Sequence, residues 1–339
     1  MRKKAWGKGL IVVLCLVLLL VLIGIDPALT WYANRSINRA QDISGRIKSI
    51  DLHVINSKST ISQLSARLNQ KGGQTDIYVE QAEVDFSWAA LLIGNVAASA
   101  SLDSPDIRML VTIPPEEKTV YGPPVAAVFE DMLSIKISSV TISRGNFVQR
   151  DITGEIPLEF YITGIEGEIQ NITNEERLAD TLFLTAALRG VTKGGGLFNM
   201  SMNVNPISPD LQFDGTVDID TMELTSFNAY VSKLGGITFE EGTLSISIDI
   251  EARAGTVTGS VRSVYEDLLF TDDRDDQESI MQSLREAIGQ IADAVLETEQ
   301  GRMVTTVPID LRVEGTRPDV FVILNIALQD ALERSLIPL

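Results

Sequence analysis

His53 is the one histidine and Cys15 the one cysteine of the 339-residue chain, and these two counts bound the chemistry open to it. A zinc centre needs several His, Cys or carboxylate ligands, usually with nitrogen or sulfur among them, and two such donors so far apart in sequence do not make one. A Ser–His–Asp triad would have to use His53, which sits between Leu52 and Val54 in a run of strand character and reads as a surface or interstrand residue. Carboxylates are plentiful, 46 in all, and any pair that converges could serve glycoside hydrolysis. Asp218 and Asp220 alternate on one strand face and read as a solvated face and a helix cap. The stretch holding Asp272, Asp273, Asp275, Asp276 and Glu278 offers oxygen ligands of the kind calcium takes. It has Arg274 in its middle and no turn glycine, and so reads as the acidic start of a helix. Lys193-Gly194-Gly195-Gly196 lacks the Lys-Ser/Thr that closes a phosphate loop and reads as a hairpin connection. The expectation is no catalytic residue, no metal and no cofactor.

What positions the chain comes next. Leu10 to Ile25 is sixteen residues without a charge, about 24 Å of helix. Trp6 on one side and Trp31–Tyr32 on the other flank it as interfacial aromatics do. Arg2, Lys3, Lys4 and Lys8 precede it, which favours a cytoplasmic N-terminus. No small-x-small site follows for a signal peptidase, and Cys15 lies within the run rather than at a lipoprotein cleavage point. A retained single-pass anchor is expected, with everything from Asp26 onward outside the membrane. That ectodomain has no cysteine and hence no disulfide. The chain carries 28 basic against 46 acidic residues, and with Arg2, Lys3, Lys4 and Lys8 set apart the part beyond the anchor is more acidic still; such a surface repels phosphate backbones. Nucleic acid is not an expected partner.

Beyond the anchor, Leu29, Tyr32, Ala33, Ile37 and Ala40 recur at near-helical spacing, a stem helix that Gly45 would end. Period-two alternation then takes over, as in Val84/Phe86/Trp88, Ile135/Ile137 with Val140/Ile142, Leu182/Leu184/Ala186/Leu188, Leu244/Ile246/Ile248/Ile250 and Val307/Ile309/Leu311/Val313. One apolar and one polar face on each strand predicts a half-buried, largely antiparallel sheet of about fifteen strands, on the order of 70 Å long at the usual strand spacing. Arg144–Gly145–Asn146, Glu241–Gly242 and Thr258–Gly259 are the expected turns. Helices are expected at Val125–Met132, at Leu224–Leu234 behind an Asp220/Glu223 capping box, at Ile280–Val295 and at the C-terminus. The fold class is therefore mainly β: an N-terminal transmembrane helix, then an elongated, curved sheet with a few amphipathic helices. The expected divisions are 1–25 cytoplasmic tip and anchor, 26–44 stem helix, 45–113 first β unit, 114–133 linker and helix, 134–270 second β unit, and 271–339 long helix, closing strands and C-terminal helix.

Several stretches resemble the AsmA-like envelope proteins of the AsmA/TamB-like group, in a branch described mainly as a domain of unknown function. They are Gly-Arg-Ile-Lys-Ser-Ile-Asp-Leu at 45–52, Val-Asp-Phe-Ser-Trp-Ala-Ala-Leu-Leu at 84–92, and Ala-Ser-Leu-Asp-Ser-Pro-Asp-Ile at 100–107. Ile-Ser-Arg-Gly-Asn-Phe-Val-Gln-Arg-Asp at 142–151 is similar to the family's inner strand-turn-strand. Phe213–Gly215, Leu224, Gly242–Leu244 and Gly259 resemble a later block, and Ala-Leu-Gln-Asp-Ala-Leu-Glu-Arg at 327–334 its closing helix. The resemblance implies a bacterial inner-membrane protein facing the periplasm, with phospholipid carried along an apolar groove and no catalytic residues. On that reading Leu244, Ile246, Ile248 and Ile250 are candidate groove residues, and Trp6, Trp31 and Tyr32 the membrane-interface anchors. The other reading keeps a closed β core and makes the protein a scaffold for other envelope proteins, without lipid cargo.

Overall fold

The computed structural model describes residues 26–35, 37–39, 43–70, 73–92, 95–112, 134–154, 156–173, 181, 183–205, 208, 212–235, 237–253, 256–272, 295–299 and 302–312. The expected anchor at 1–25, the linker and helix at 114–133, the segment 273–294 and the C-terminal strand and helix lie outside them. Among the described residues no helix is long and apolar enough to cross a membrane.

Fourteen strands form one sheet: β1 Ile43–His53, β2 Lys58–Gln70, β3 Gly73–Phe86, β4 Asn95–Asp103, β5 Asp106–Val111, β6 Ser134–Asp151, β7 Leu158–Thr173, β8 Leu184–Thr192, β9 Leu197–Val204, β10 Phe213–Glu223, β11 Ile237–Arg253, β12 Thr256–Asp272, β13 Val295–Glu299 and β14 Arg302–Arg312. Neighbours in sequence are neighbours in the sheet almost throughout and pair antiparallel, with β14 placed between β12 and β13. The exception is β6, which runs parallel to β4 and β5. A parallel pair needs a crossover rather than a hairpin, and the chain between Val111 and Ser134 supplies its length. This pairing joins the two β units expected on either side of 114–133 into a single sheet.

Alternation along each strand adds up across the sheet. One row of directly paired residues runs Ile50, Ile61, Ala82, Leu102, Ile142, Gly167, Leu188, Met200, Val217, Ile248, Val261, Val307 without a polar side chain. The row on the other face runs Thr60, Glu83, Ser101, Thr141, Glu168, Ala187, Ser201, Thr216, Asp249, Ser260. Opposite charges sit directly across from each other on this polar face, as Arg67 with Asp76, Arg189 with Glu166 and Arg302 with Glu266. Cross-strand pairs of this kind favour one register over its neighbours.

The expected turns are not turns. Arg144–Gly145 is a bulge inside β6, with Arg144 at φ +53°, so 142–151 is one strand rather than strand-turn-strand. Gly242 is a bulge inside β11 at φ +133°, a conformation that a side chain would strain. Gly259 lies mid-β12, where a Cβ would stand 2.0 Å from the carbonyl oxygen of Asp249 on the next strand. Glycine within a strand marks a bulge or a close backbone approach as readily as a turn. The break at Arg144 has company: Gln63 in β2 and Ser104 between β4 and β5 also have positive φ, and all three lie at one level of the paired register. Each bulge bends its own strand, so at this line adjacent strands bend together.

The helix expected to end at Gly45 covers residues 26–35, and Gly45 is inside β1. Trp88 falls in a short helix, Trp88–Leu92, beyond the end of β3 rather than in the strand. Val295 opens β13 instead of closing a helix. The helix after β10 is present, as a 3₁₀ turn Leu224–Phe227 followed by α-helix Asn228–Gly235. Its N-cap is Glu223, without a side-chain cap bond, and Asp220 stays in β10. The capping box is therefore absent. Tertiary packing holds this helix instead: Leu224, Phe227 and Val231 are buried on the apolar face, each contributing about 1.5–3 kcal/mol. The Asn228 amide also donates to the carbonyl of Phe239 and accepts its N–H, at 2.8 and 2.9 Å.

Candidate functional site

Among the described residues the apolar face of the sheet is the candidate site. On β10 and β11 it is sealed, while Leu188 and Met200 of β8 and β9 in the same row stay half-buried. Leu244, Ile246, Ile248 and Ile250 project to one side of β11 and keep 0, 2, 1 and 4% of their surface exposed. Phe213, Val217, Ile219 and Met222 of β10 lie beside them, and the helix residues Leu224, Phe227 and Val231 complete the same cluster. The sequence-derived groove residues share one face of β11, and what they line is core. A side chain this fully enclosed offers no surface to an acyl chain.

The same face on β1 to β6 has a different character. Ile50, Leu52, Ile61, Leu64, Ile77, Val84, Leu102, Ile107, Met109 and Ile142 are half-buried, and Ile47, Val79 and Ala82 are buried among them. The period-two signal is equally good in both halves, and only the packing above the strands separates them. At the junction, Gln149 of β6 lies between Met109 of β5 and Phe160 of β7. It is buried, and its side-chain oxygen has no hydrogen-bond partner. Such an acceptor is costly to leave unpaired, and a hydroxyl or water would satisfy it.

Among the described residues the polar face carries shallow, open depressions. One of about 670 Å³ is lined in part by Arg46, Arg67, Asp76, Asp106 and Arg108. Its Asp76 carboxyl is held below the usual range, first by hydrogen bonding from Arg67, while the Arg67 and Arg108 guanidiniums are pushed up by their bonds to Asp76 and Asp106. These are mutual ion pairs on an exposed surface, arranged as charge ladders. The depression of about 360 Å³ near Asp214, Asp249 and Glu251 is acidic, with Glu251 paired to Arg253. Asp218 accepts a short hydrogen bond from Ser247, and Asp220 is exposed. His53 is an exposed residue at the end of β1, register partner of Lys58. Lys193–Gly196 is a hairpin turn, its Gly194 carbonyl accepting the N–H of Glu223 at 2.9 Å. Among the described residues no group of three or more His, Cys, Asp or Glu side chains is placed to hold a metal ion. Cys15 and Trp6, and the acidic stretch beyond Asp272, lie outside the described residues.

Trp31 and Tyr32 are 61 and 62% exposed on the helix over 26–35, and the guanidinium of Arg35 stacks 5.3 Å from the Trp31 ring centroid. The opposite side of that helix holds an arrangement that hydrophobic periodicity does not reveal. The N–H of Leu52 donates to Asp26 at 3.0 Å and that of Ile50 to Thr30 at 2.9 Å. Asn34 both accepts from the N–H of Ile47 (2.6 Å) and donates to its carbonyl (2.9 Å), and Asn38 does the same with Gly45 at 3.2 and 2.7 Å. Four residues of helix rise about 6 Å and two residues of strand about 6.7 Å, so a polar residue at every fourth helical position meets the outer edge of β1 nearly in step. The Asp-x₃-Thr-x₃-Asn-x₃-Asn spacing from Asp26 to Asn38 was the signal for it.

No protein-family model matches the chain, and no curated protein matches it. Of the sequence stretches singled out above, 45–52 lies in β1, 84–92 is the end of β3 with its short helix, 100–107 the β4–β5 kink at Pro105, and 142–151 the bulged end of β6.

Proposed function

We propose that this is a membrane-anchored envelope protein of AsmA-like type that handles lipid through the half-buried part of its apolar sheet face. On this reading residues 1–25 are a single-pass anchor in a bacterial inner membrane with a cytoplasmic N-terminus. The ectodomain is periplasmic, its sheet is elongated and curved, and no catalytic step is involved. The observation that supports it is the uninterrupted apolar row from Ile50 to Val307 across one continuous sheet. Strands β1 to β6 contribute a half-buried stretch of that row. An acyl chain needs no polar site to bind there, since each CH₂ removed from water contributes about 0.8 kcal/mol. Phospholipid is the expected cargo, and β7 to β14 with their covering helix form the structural body beneath it.

One observation favours the scaffold reading, in which the ectodomain binds other envelope proteins and carries no lipid: the complete burial of Leu244 to Ile250. Native mass spectrometry of the full chain after mild extraction separates the two. The lipid reading expects phospholipid to accompany the wild type, to be lost in Ile61→Asp, and to persist in Thr60→Asp, whose side chain is on the polar face. Wild-type protein that emerges free of lipid while retaining its fold assigns the ectodomain to the scaffold reading.

A further inference from the structure

We propose that the corner of the sheet at the β1–β2 tip is a second membrane contact, inserting Ile55 and Trp88 into the headgroup–acyl boundary of the bilayer that holds the anchor. Ile55 is 97% exposed, an isoleucine on a 3₁₀ turn with nothing packed on it. Trp88, 37% exposed, sits on the short helix after β3 and donates its indole N–H to the carbonyl of Val54 at 3.0 Å. Phe86 meets the Trp88 ring edge-on at 4.9 Å. The two tips are thereby tied into one apolar corner with the indole fixed between them, and Trp is a residue that favours membrane interfaces.

The edge helix says which way this corner faces. Its polar ladder pairs Asn38 with Gly45, Asn34 with Ile47, Thr30 with Ile50 and Asp26 with Leu52. Moving back along the helix towards its entry point is therefore moving forward along β1 towards Ile55. Ile55 is three residues beyond Leu52, so it lies within about 15 Å of the Asp26 carboxylate at full extension of the chain. The sixteen-residue uncharged run ends at Ile25, the residue before Asp26. If that run is in the bilayer, the corner is at its surface. The local charge is balanced: residues 53–58 (His-Val-Ile-Asn-Ser-Lys) contain no acid in a chain of net charge −18, and the Asp85 carboxylate beside them is neutralised by Lys58 at 3.4 Å. Only β1 to β3 with the following helix are included, because sheet twist turns the strand ends of later strands progressively away.

This inference rests on the anchor reading above, and the test distinguishes the two. Full-length protein with Cys15→Ala and Ile55→Cys is labelled with a polarity-sensitive dye and reconstituted in phosphatidylethanolamine–phosphatidylglycerol vesicles carrying a headgroup-proximal spin-labelled lipid. The matched controls carry the dye at Asn69→Cys, an exposed position at the far end of β2, or on native Cys15 with a deep spin-labelled lipid. The expected result is blue-shifted, lipid-quenched emission from position 55 and unquenched emission from position 69. Equal emission from 55 and 69 with Cys15 quenched overturns the corner contact and leaves the anchor standing. An unquenched Cys15 overturns the anchor, and the corner contact with it.

Discussion

The Arg67–Asp76 pair shows what individual side chains contribute on the polar face. The two are register partners on β2 and β3, with the guanidinium 2.6 Å from the carboxylate. The folded protein holds Asp76 below its ordinary value of 3.8 chiefly through that hydrogen bond. A depressed carboxyl stabilises the fold fully above its unfolded value, and the contribution disappears as pH falls through the folded one. Both side chains are about half exposed, so the effect is small and screened by salt. The expected outcome is that Arg67→Ala lowers the urea midpoint slightly at neutral pH and low salt, and has no effect well below pH 3.8. An equal deficit at both values would place the contribution of Arg67 in packing by its side-chain stem. The candidate site differs from this in kind. Its side chains are apolar and interchangeable one by one, which is why no single one of the described residues stands out as a site.

At the scale of elements, the edge helix solves a problem that an open sheet creates. An edge strand presents unpaired N–H and C=O groups that invite another chain to add to it. Here Asp26, Thr30, Asn34 and Asn38 satisfy those of β1 from one helix face. Asn34 satisfies two groups of Ile47 at once, so Asn34→Ala should cost about 1–2 kcal/mol. It should also raise amide hydrogen exchange at Ile47 and its neighbours above that of central β10 and β11. Unchanged exchange at Ile47 would mean that water replaces the asparagine without loss. Mid-strand glycines are the converse case. A sequence shows that Gly259 is glycine, but the oxygen of Asp249 that excludes a Cβ belongs to another strand. That is why these positions read as turns until the pairing is known.

Taken whole, the molecule is one sheet with two unlike faces, and its apolar face is unlike along its own length. The same kind of residue in the same row is sealed at Ile248 and half-buried at Ile61. Cavity cost scales with how completely a side chain is enclosed. Ile248→Ala is therefore expected to lower unfolding free energy by about 3–4 kcal/mol and Ile61→Ala by about 1–2 kcal/mol, both read from urea denaturation. Equal losses would mean that the N-terminal half is enclosed as tightly as the C-terminal half, with no room there for an acyl chain.

Sequence alone determined the two-faced strands, because alternation is a local property in which each residue's face follows from its neighbour's. It also determined how narrow the available chemistry is, since one histidine and one cysteine are counts and need no fold. The helix at Leu224 was legible for the same reason, through apolar spacing that the 3₁₀ turn and helix share. Only the tertiary structure decided how the two β units join within one sheet, because the parallel pairing of β6 with β4 joins residues separated by a long crossover and leaves no local mark. It decided that Gly145, Gly242 and Gly259 lie inside strands, since their neighbours across the sheet set their conformation. It decided, too, that Leu244 to Ile250 are core while Ile50 and Ile61 are half-buried. Apolar alternation says which way a side chain points, and what covers it depends on elements distant in the chain.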